Sequence, residues 1–346
     1  MKELLPQIQN WLGQNKKVAL ATVVKTWGSA PREVGSMMAI SRESEMAGSV
    51  SGGCVETAVI EEALKVISTA KPALLSYGVT NEEAWTVGLA CGGSIEIFVE
   101  AFDPADALKA ALLDIVAHKK TAVLATCLDT DSEFLGRQYF IEDSGKVIGS
   151  IDNGEIDAAL QKTVDLQNPP RDAKTVELHG HAVFIKPFLP PPRFVIIGGV
   201  HIAQPLAKFA KELEFEVILI DPRTAFGNKT RFPEIGQIIN LWPDEALAQL
   251  DIDQNTFIVL LTHDPKIDDP GIIAALNAHP AYIGVLGSRK THEKRIKRLK
   301  EAGISKEQIA RIHAPIGLKI GARSPAEIAM SIMAEIITIQ RKPGYA

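Results

Sequence analysis

Three consecutive prolines near the middle of the chain constrain its architecture more than any other feature. Pro190, Pro191 and Pro192 have no backbone N–H group and a fixed φ angle, so this stretch can form neither a helix interior nor a central strand. It is predicted to be a stiff linker. A chain of 346 residues is long enough for two domains, and the boundary is predicted here, giving domains 1–190 and 191–346.

The segment after the prolines alternates strand-like with helix-like stretches. The predicted strands cover residues 194–197, 216–220, 257–261 and 282–286, and the predicted helices cover 202–213, 270–278, 291–302 and 325–340. Alternation of this kind builds a parallel sheet that is covered by helices on both faces. The second domain is therefore predicted to be Rossmann-like. Residues 290–300 are rich in charge and are predicted to form the exposed face of a helix.

The segment before the prolines mixes strands and helices without strict alternation. The predicted strands cover residues 18–25, 36–40, 73–77, 95–102 and 122–128, with helices at 55–69 and 105–118. A hairpin is predicted to join 134–141 to 146–151, and residues 175–188 close the domain. The first domain is therefore predicted to be α+β, within a chain that is α/β overall. No internal repeat is evident apart from two glycine–cysteine segments.

Composition and charge exclude several classes of protein. With 46% hydrophobic residues the chain can build cores, and its net charge of −5 does not fit a general nucleic-acid binder. Apolar stretches such as 257–261 are too short to span a bilayer, and the first residues contain no apolar run typical of secretion. Three cysteines do not make a disulfide framework, which favours the reducing cytoplasm.

Three glycine-containing loops of the first domain hold the residues best suited to chemistry. Their sequences are GSAPREVG at 28–35, GSVSGGCVE at 48–56 and CGG at 91–93. In the second loop, consecutive backbone amides can converge on an anion. A helix that begins near Cys54 would lower the pKa of its thiol, which makes Cys54 a candidate metal ligand. Cys54 and Cys91 are the candidate catalytic thiols.

Other residues of the same loops are candidates for binding a cofactor. Arg32 can hold a phosphate through two parallel hydrogen bonds, and glycines beside Cys91 allow close approach of a ligand. The predicted binding set of this domain comprises Arg32, Ser51, Gly52, Gly53, Glu56, Gly92 and Gly93. The structural alternative is that the glycines only form turns and the cysteines only pack. Cys127, in an apolar strand, is predicted to pack in this way.

These motifs resemble those of the XdhC/CoxI family. GSAPREVGSMMAI, GSVSGGCVE and ACGGSIEIFVE occur in the order and at the spacing of the family's N-terminal signature. In the second half LTHD, GVLGSR and PIGLKIGARSPAEIAMSIMAEII are similar to the family as well. The resemblance covers nearly the whole chain.

The resemblance implies a role in cofactor maturation. Members are accessory proteins that bind molybdenum cofactor and protect it while a cysteine desulfurase supplies the sulfido ligand. They then deliver it to an apo-molybdenum hydroxylase such as xanthine dehydrogenase. By this resemblance the chain is a cytoplasmic factor that holds molybdopterin transiently and forms a homodimer. Three cysteines cannot hold even one four-cysteine iron–sulfur cluster, so the chain is not itself that dehydrogenase.

The turn after the first strand of the second domain raises the alternative of NAD(P) binding. Gly198, Gly199 and His201 lie where a G-x-G-x-x-G turn would be, and Asp221 ends the next strand, where an acid can bind a ribose. Val200 takes the second glycine position, where its Cβ obstructs a pyrophosphate, so NAD(P) binding is doubtful.

Two further candidates, His263 and Arg289, are predicted at the same edge of the sheet, and the full cofactor-binding set of this domain is Gly198, Gly199, His201, Asp221, His263 and Arg289. The alternative function is an NAD(P)-dependent oxidoreductase with His201 or His263 as proton donor.

Three further expectations concern aromatic and imidazole groups and the place of the cofactor. Trp27 and Trp85 lie near the glycine loops, where they either stack on a pterin or line the core. His179 and His181 would share one face of a strand, and a solvated pair is favoured over a metal site. The cofactor is expected where the two domains meet, since ligand crevices favour domain interfaces.

Overall fold

The computed structural model describes residues 1–28, 32–53, 55–78, 93–130, 132–166 and 169–341. Its contacts divide the chain into two compact units, residues 1–190 and 191–346. The strands of the first unit are β1 (Val18–Trp27), β2 (Met37–Ser41), β3 (Met46–Gly48), β4 (Ala73–Tyr77), β5 (Ser94–Phe102), β6 (Ala122–Cys127), β7 (Gln138–Glu142), β8 (Val147–Gly149), β9 (Lys174–Leu178) and β10 (His181–Phe188). Its helices are α1 (Leu5–Gly13), α2 (Glu56–Thr69), α3 (Ala107–Ala117) and α4 (Glu155–Thr163).

The first unit contains two antiparallel sheets with the same strand order. The first sheet is ordered β3-β2-β1-β5-β4 and the second β8-β7-β6-β10-β9. Each set of strands is preceded by a helix, α1 or α3, and each has a second helix, α2 or α4, between its third and fourth strands. The unit is therefore an internal duplication of one helix–strand pattern. We call residues 1–102 the first copy and residues 103–188 the second copy.

The duplication is visible in sequence once the strands are aligned. β1 lies in KVALATVVKT at 17–26, and β6 lies in TAVLATCLDT at 121–130. The loop after β3 reads GSVSGGCVE at 48–56, and the loop after β8 reads GSIDNGEID at 149–157. The expectation of no further internal repeat was wrong. Similarity is confined to short stretches, and the connections between them differ in length, so the duplication has no continuous repeat in the sequence.

One apolar cluster joins the two sheets, and it is built from equivalent positions of the two copies. Residues of α1, α3 and the central strands of both sheets contribute to it. The equivalent pairs are Leu4 with Leu108, Ile8 with Leu112, Trp11 with Ile115, Leu20 with Leu124 and Phe102 with Phe188. Because helix positions three and four apart lie on one face, each helix presents a single apolar stripe to this shared core.

The two copies differ most in the connection between their last two strands. In the second copy β9 and β10 are joined by His179 and Gly180, both with positive φ, as a two-residue hairpin requires. In the first copy the corresponding connection runs over residues 78–93, of which residues 79–92 lie outside the described part of the chain. The first copy therefore carries an insertion at a point where the second copy makes its shortest possible turn.

The second unit is a parallel sheet with helices between its strands. Its strands are β11 (Arg193–Ile197), β12 (Glu216–Ile220), β13 (Gln237–Ile239), β14 (Thr256–Leu260), β15 (Tyr282–Val285) and β16 (Ile312–His313). Its helices are α5 (Ala203–Glu212), α6 (Pro243–Leu247), α7 (Pro265–Ala278), α8 (Arg289–Glu301), α9 (Lys306–Ala310) and α10 (Pro325–Gln340). The strand order β13-β12-β11-β14-β15-β16 is that of a Rossmann fold.

Alternate residues of β11 are buried on opposite faces of this sheet. Phe194 and Ile196 join the core beneath α5 and α10, whereas Val195 and Ile197 join the core beneath α7 and α8. The carboxyl ends of β11 and β14 mark the point where the strand order reverses. In open α/β sheets this is where ligands bind.

The predicted fold class is confirmed, with an α+β first unit and a Rossmann-like second unit. Some predicted bounds were wrong. The helix predicted from residue 270 begins at Pro265, because Asp264 caps it by accepting a hydrogen bond from the amide of Lys266. The strand predicted from 134 begins at Gln138, and 175–188 forms two strands. Several short elements were not predicted: α1, β3, α4, β13, α6, α9 and β16.

Candidate functional site

The three glycine loops of the first copy emerge at one edge of its sheet. β1 ends at Trp27, which pairs with Ser94 at the start of β5, so Gly28 of the first loop and Gly93 of the third flank the same strand pair. β2 begins directly after the first loop, and its Met38 pairs with Gly48 at the end of β3, which places the second loop beside them. Cys54, Cys91, Gly92 and Trp85 lie outside the described residues.

The second loop is organised by the carboxylate of Glu56 in the first turn of α2. The backbone amides of Ser51 and Gly52 each donate to Oε1 at 2.9 Å, and the amide of Gly53 donates to Oε2 at 2.8 Å. The hydroxyl of Ser49 donates to Oε1 at 2.9 Å, and that of Ser51 also donates to this carboxylate. The predicted convergence of amides is therefore present, and the anion that it holds is a side chain of the protein.

These hydrogen bonds decide the charge of Glu56. Burial would raise its pKa, but the hydrogen bonds from Ser51 and Ser49 outweigh that effect and lower the pKa to about 2. Glu56 is therefore ionised throughout the physiological range and ties the loop to the helix. That Ser51, Gly52, Gly53 and Glu56 bind a cofactor stays a prediction.

Arg32 connects the first loop to the second. Its Nε atom donates to the hydroxyl oxygen of Ser49 at 3.4 Å, and that hydroxyl in turn donates to Glu56. Trp27, at the end of β1 beside the same loop, is 72% exposed, so it does not line the core. Gly93, directly before β5, is buried. Of the predicted residues in the described part, the structure thus brings Arg32 together with Ser51, Gly52, Gly53 and Glu56.

Lys186 of β10 was not predicted as a functional residue. Its ammonium group donates to the backbone carbonyl of Gly35, at the end of the first loop. Burial lowers its pKa to about 8. The equivalent position in the first copy is Glu100, which forms an ion pair with Lys109. A lysine within the otherwise apolar run FIKPF was the sequence signal for this position.

The expectation that His179 and His181 share a strand face was wrong. His179 has a φ of 50° and lies in the hairpin turn, whereas His181 begins β10 and its Nδ1 hydrogen-bonds the carboxylate of Asp129. Cys127, Asp129 and His181 place potential ligand atoms within 4.8 Å of one another. Cys127 is fully buried, and burial raises the pKa of its thiol, in keeping with its predicted packing role.

The glycine turn of the second unit is closed by the protein's own groups. Asp221 is fully buried, and its carboxylate accepts hydrogen bonds from the amide of Gly199 at 2.8 Å and from the backbone and guanidinium of Arg223. Burial would raise its pKa, but these bonds lower it. Four donors saturate a carboxylate. A Cβ at Gly199 would lie 2.5 Å from the carbonyl oxygen of Phe226, so a neighbouring loop covers this turn.

A cavity of about 240 Å³ opens at the carboxyl ends of β14 and β15. Predicted His263 lies on its wall with an unusual φ of 63°, whereas Arg289, at the start of α8, is exposed and does not line it. His201 is exposed in the turn before α5. The wall also contains Lys290, Lys294 and Arg295. Sequence reasoning had placed these on an exposed helix face, yet Arg295 is only 2% exposed.

Comparison with known proteins agrees with the motifs of both units. The family model described as the XdhC Rossmann domain matches residues 194–336, and the model described as the XdhC and CoxI family matches residues 11–78. The chain belongs to the XdhC/CoxI family. This XdhC/CoxI member contains, among its described residues, no helix long and apolar enough to cross a membrane.

Relatives of this XdhC/CoxI chain match it over nearly its full length. It is 28% identical to a probable xanthine dehydrogenase subunit of Bacillus subtilis, covering 96% of each chain. It is also 28% identical to the molybdenum cofactor insertion chaperone PaoD of Escherichia coli, covering 95% of this chain and 85% of that protein. A crystal structure described as a xanthine dehydrogenase from Bacillus halodurans superposes with a TM-score of 0.78 at 26% identity, covering 99% of this chain and 97% of that one.

Proposed function

We propose that this chain is a cytoplasmic accessory factor that binds molybdenum cofactor transiently. In this role it assists sulfuration of the cofactor and its insertion into an apo-molybdenum hydroxylase of the xanthine dehydrogenase type. Its partners are the apo-enzyme and a cysteine desulfurase, and it acts as a homodimer. Similarity to an insertion chaperone over 95% of the chain supports the role.

The observation that carries the proposal is the convergence of the glycine loops on one edge of the first sheet. Arg32 is held beside the second loop by its bond to Ser49, and the exposed ring of Trp27 lies at the end of the neighbouring strand. The second copy repeats the backbone frame of this loop but has Glu155 where the first has Cys54 and Glu133 where the first has Arg32. The residues suited to a phosphorylated, sulfur-bearing cargo occur in one copy only.

Each of these side chains suits one part of such a cargo. A guanidinium fork binds a phosphate through two parallel hydrogen bonds, and a thiolate is a soft ligand for molybdenum or sulfur. A factor that must release its cargo needs contacts that are individually modest. A few polar contacts without a closed metal cage meet that need.

The closed glycine turn of the second unit argues against the oxidoreductase alternative. A ribose hydroxyl would have to displace Arg223 or the amide of Gly199 from Asp221, and Val200 obstructs the approach of a pyrophosphate. NAD(P) is therefore not part of the proposed function.

The proposal is tested by replacing the residues that distinguish the first copy. We expect Arg32→Ala and Cys54→Ala to leave the protein folded and to reduce molybdopterin retained after purification. Loss of a charged contact costs about 2 kcal/mol, which corresponds to roughly a thirtyfold fall in affinity. Activation of apo-xanthine dehydrogenase by either variant should fall with it.

Matched controls replace an arginine and a loop residue elsewhere in the same unit. Arg42→Ala removes an exposed arginine from the β2–β3 turn, and Glu155→Ala alters the position that matches Cys54 in the second copy. Both should retain cofactor like the parent. Normal loading and activation by Arg32→Ala and Cys54→Ala would mean that the glycine loops of the first copy are only scaffolding.

A further inference from the structure

Arg295 is a buried cation whose hydrogen-bonding capacity is largely unused. Its side chain is 2% exposed and reaches the wall of the cavity at the carboxyl ends of β14 and β15. One guanidinium nitrogen, Nη2, donates to the carbonyl of Leu286 at 3.1 Å, whereas Nε and Nη1 have no hydrogen-bond partner among the described residues. Buried polar groups are nearly always paired, so this arrangement calls for a ligand or ordered water.

The buried carboxylate nearest to Arg295 does not satisfy it. Asp268 Oδ2 lies 3.7 Å from Nη2, beyond hydrogen-bonding distance, and the other oxygen of Asp268 accepts from the hydroxyl of Thr262 at 2.6 Å. Burial raises the pKa of Asp268, outweighing the effects of Thr262 and Arg295. Asp268 is thus an ion-pair partner of Arg295 that accepts no hydrogen bond from it.

The same cavity collects further positive charge. Lys290 and Lys294 lie on its wall and are exposed, and Arg298 lies there too, although its guanidinium is bound to Asp269. Among the described residues of the cavity wall, the one carboxylate that opposes these cations is that of Asp268. An excess of two or more positive charges therefore surrounds the opening to the buried guanidinium.

The helix that supplies these cations begins at the cavity. Ser288 caps α8 by accepting a hydrogen bond from the amide of Thr291, and the first turn contains no acidic residue. The positive end of a helix dipole normally attracts acidic side chains and disfavours basic ones. Here Arg289 and Lys290 occupy the first turn, so the positive end of the helix and these basic side chains repel each other. An anion bound at this helix end would offset that repulsion.

We propose that this cavity binds the phosphate group of a ligand, with Arg295, Lys290 and Lys294 as its contacts. The unused Nε and Nη1 groups of the buried Arg295 leave it with donors for a ligand oxygen, and the lysines add positive charge at the entrance. A phosphomonoester of a pterin and a phosphate of a nucleotide offer the same chemistry. The choice of a pterin phosphate rests on the proposed function, whereas the phosphate site itself does not.

The site is tested with inorganic pyrophosphate and calorimetry on the full chain at low salt. The parent should bind one pyrophosphate, and the double variant Lys290→Ala, Lys294→Ala should bind it at least tenfold more weakly. Lys297→Ala, Lys300→Ala removes two exposed lysines from the same helix outside the cavity wall, so the net charge changes equally. Its affinity should stay within twofold of the parent.

Two results would overturn the site. One is no saturable binding by the parent; the other is an equal loss in both double variants, which would indicate only the net charge of the helix. Arg295→Lys keeps the buried charge but removes the planar guanidinium and its unused donors, and it should lower affinity with an unchanged melting temperature. Unaltered binding by a folded Arg295→Lys variant would remove Arg295 from the site.

The source of the phosphate is decided by two further arms. Cytidine monophosphate is titrated against parent and Lys290→Ala, Lys294→Ala, and molybdopterin retention is measured in the same proteins. Loss of molybdopterin retention together with pyrophosphate binding supports the pterin phosphate. Retained molybdopterin with lost pyrophosphate and nucleotide binding overturns the pterin phosphate, while leaving the accessory role to be judged by Arg32 and Cys54.

Discussion

The loops at 48–56 and 149–157 occupy equivalent places after β3 and β8, and both are tied down by an acidic residue of the helix that follows. In the first copy Glu56 accepts from two hydroxyls and three amides. In the second copy Asp157 accepts from the hydroxyl of Ser150 and the amide of Ile151. The shared pattern identifies glycine, serine and acid as parts of the frame.

What differs between the copies is what this frame holds. The first copy has Cys54 within the loop, Arg32 beside it and an insertion between β4 and β5 that contains Cys91. The second has Glu155, Glu133 and a two-residue turn. A motif that occurs twice with the same bonds is explained by folding, so chemical function is best sought among the residues that occur once.

The largest expected effect comes from Glu56, the acid with more hydrogen bonds. Its lowered pKa contributes stability that is complete above about pH 4.5 and is lost as the pH falls toward 2. Glu56→Gln should therefore cost about 3 kcal/mol of unfolding free energy at pH 7. Urea unfolding of parent and variant between pH 7 and pH 2.5 should show the difference shrinking with acidification.

Asp157→Asn is the matched variant in the second copy. With fewer bonds to lose, it should cost about 1–2 kcal/mol. Equal costs for the two variants would contradict the view that the first loop depends more strongly on its acid.

A smaller effect of opposite sign is expected at Lys186. Glu100, at the equivalent position in the first copy, bonds to Lys109 and Gln138. The positions equivalent to these two partners are occupied by Leu5 and Met37, which carry no charge. Lys186→Met should stabilise the protein by about 2 kcal/mol at pH 7, the cost of burying the ammonium minus one lost hydrogen bond.

The advantage expected from Lys186→Met depends on pH. Its pKa of about 8 lies below the value of 10.5 in the unfolded chain, so the unfolded state binds more protons between these values. Stability of the parent should rise across that range, and the advantage of Lys186→Met should shrink. A constant advantage from pH 7 to pH 10 would show that the ammonium is not desolvated.

The smallest effect is expected when a residue of the second copy is placed in the first. Gly52 has a φ of 84°, and Asn153 at the equivalent position has 57°, a conformation that asparagine tolerates. Gly52→Asn should change unfolding free energy by less than about 1 kcal/mol. Gly48→Ala should destabilise the protein more than Gly52→Asn, because its Cβ would lie 2.4 Å from the carbonyl oxygen of Met37. Thermal unfolding of the two variants measures this difference.

Sequence reasoning succeeded where the determining signal is local. The strand at 194–197, its glycine turn and the following helix are fixed by an apolar run, by Gly198 with its positive φ, and by the amphipathic pattern after it. The capping box of Ser324 with Glu327 likewise marks the start of α10.

Sequence reasoning did not anticipate that the carboxylate of Glu56 accepts hydrogen bonds from the amides of Gly52 and Gly53, four and three residues earlier. It failed at Arg295, where distant segments decide the outcome. Arg295 was placed on an exposed face because its neighbours are charged. Only the packing of α8 near α7 brings it within reach of Asp268 and buries it. The relation between Arg295 and Asp268 has no signature in linear spacing.

The duplicated loop gives this protein an internal standard for measuring ligand occupancy. The amides of Gly52 and Asn153 both donate to the serine hydroxyl three residues earlier, at 3.0 and 2.8 Å. Global unfolding exposes both amides to deuterium equally, whereas a molecule seated on the first loop would retard exchange at Gly52 alone. The ratio of the two exchange rates within one sample therefore separates local occupancy from any change in overall stability.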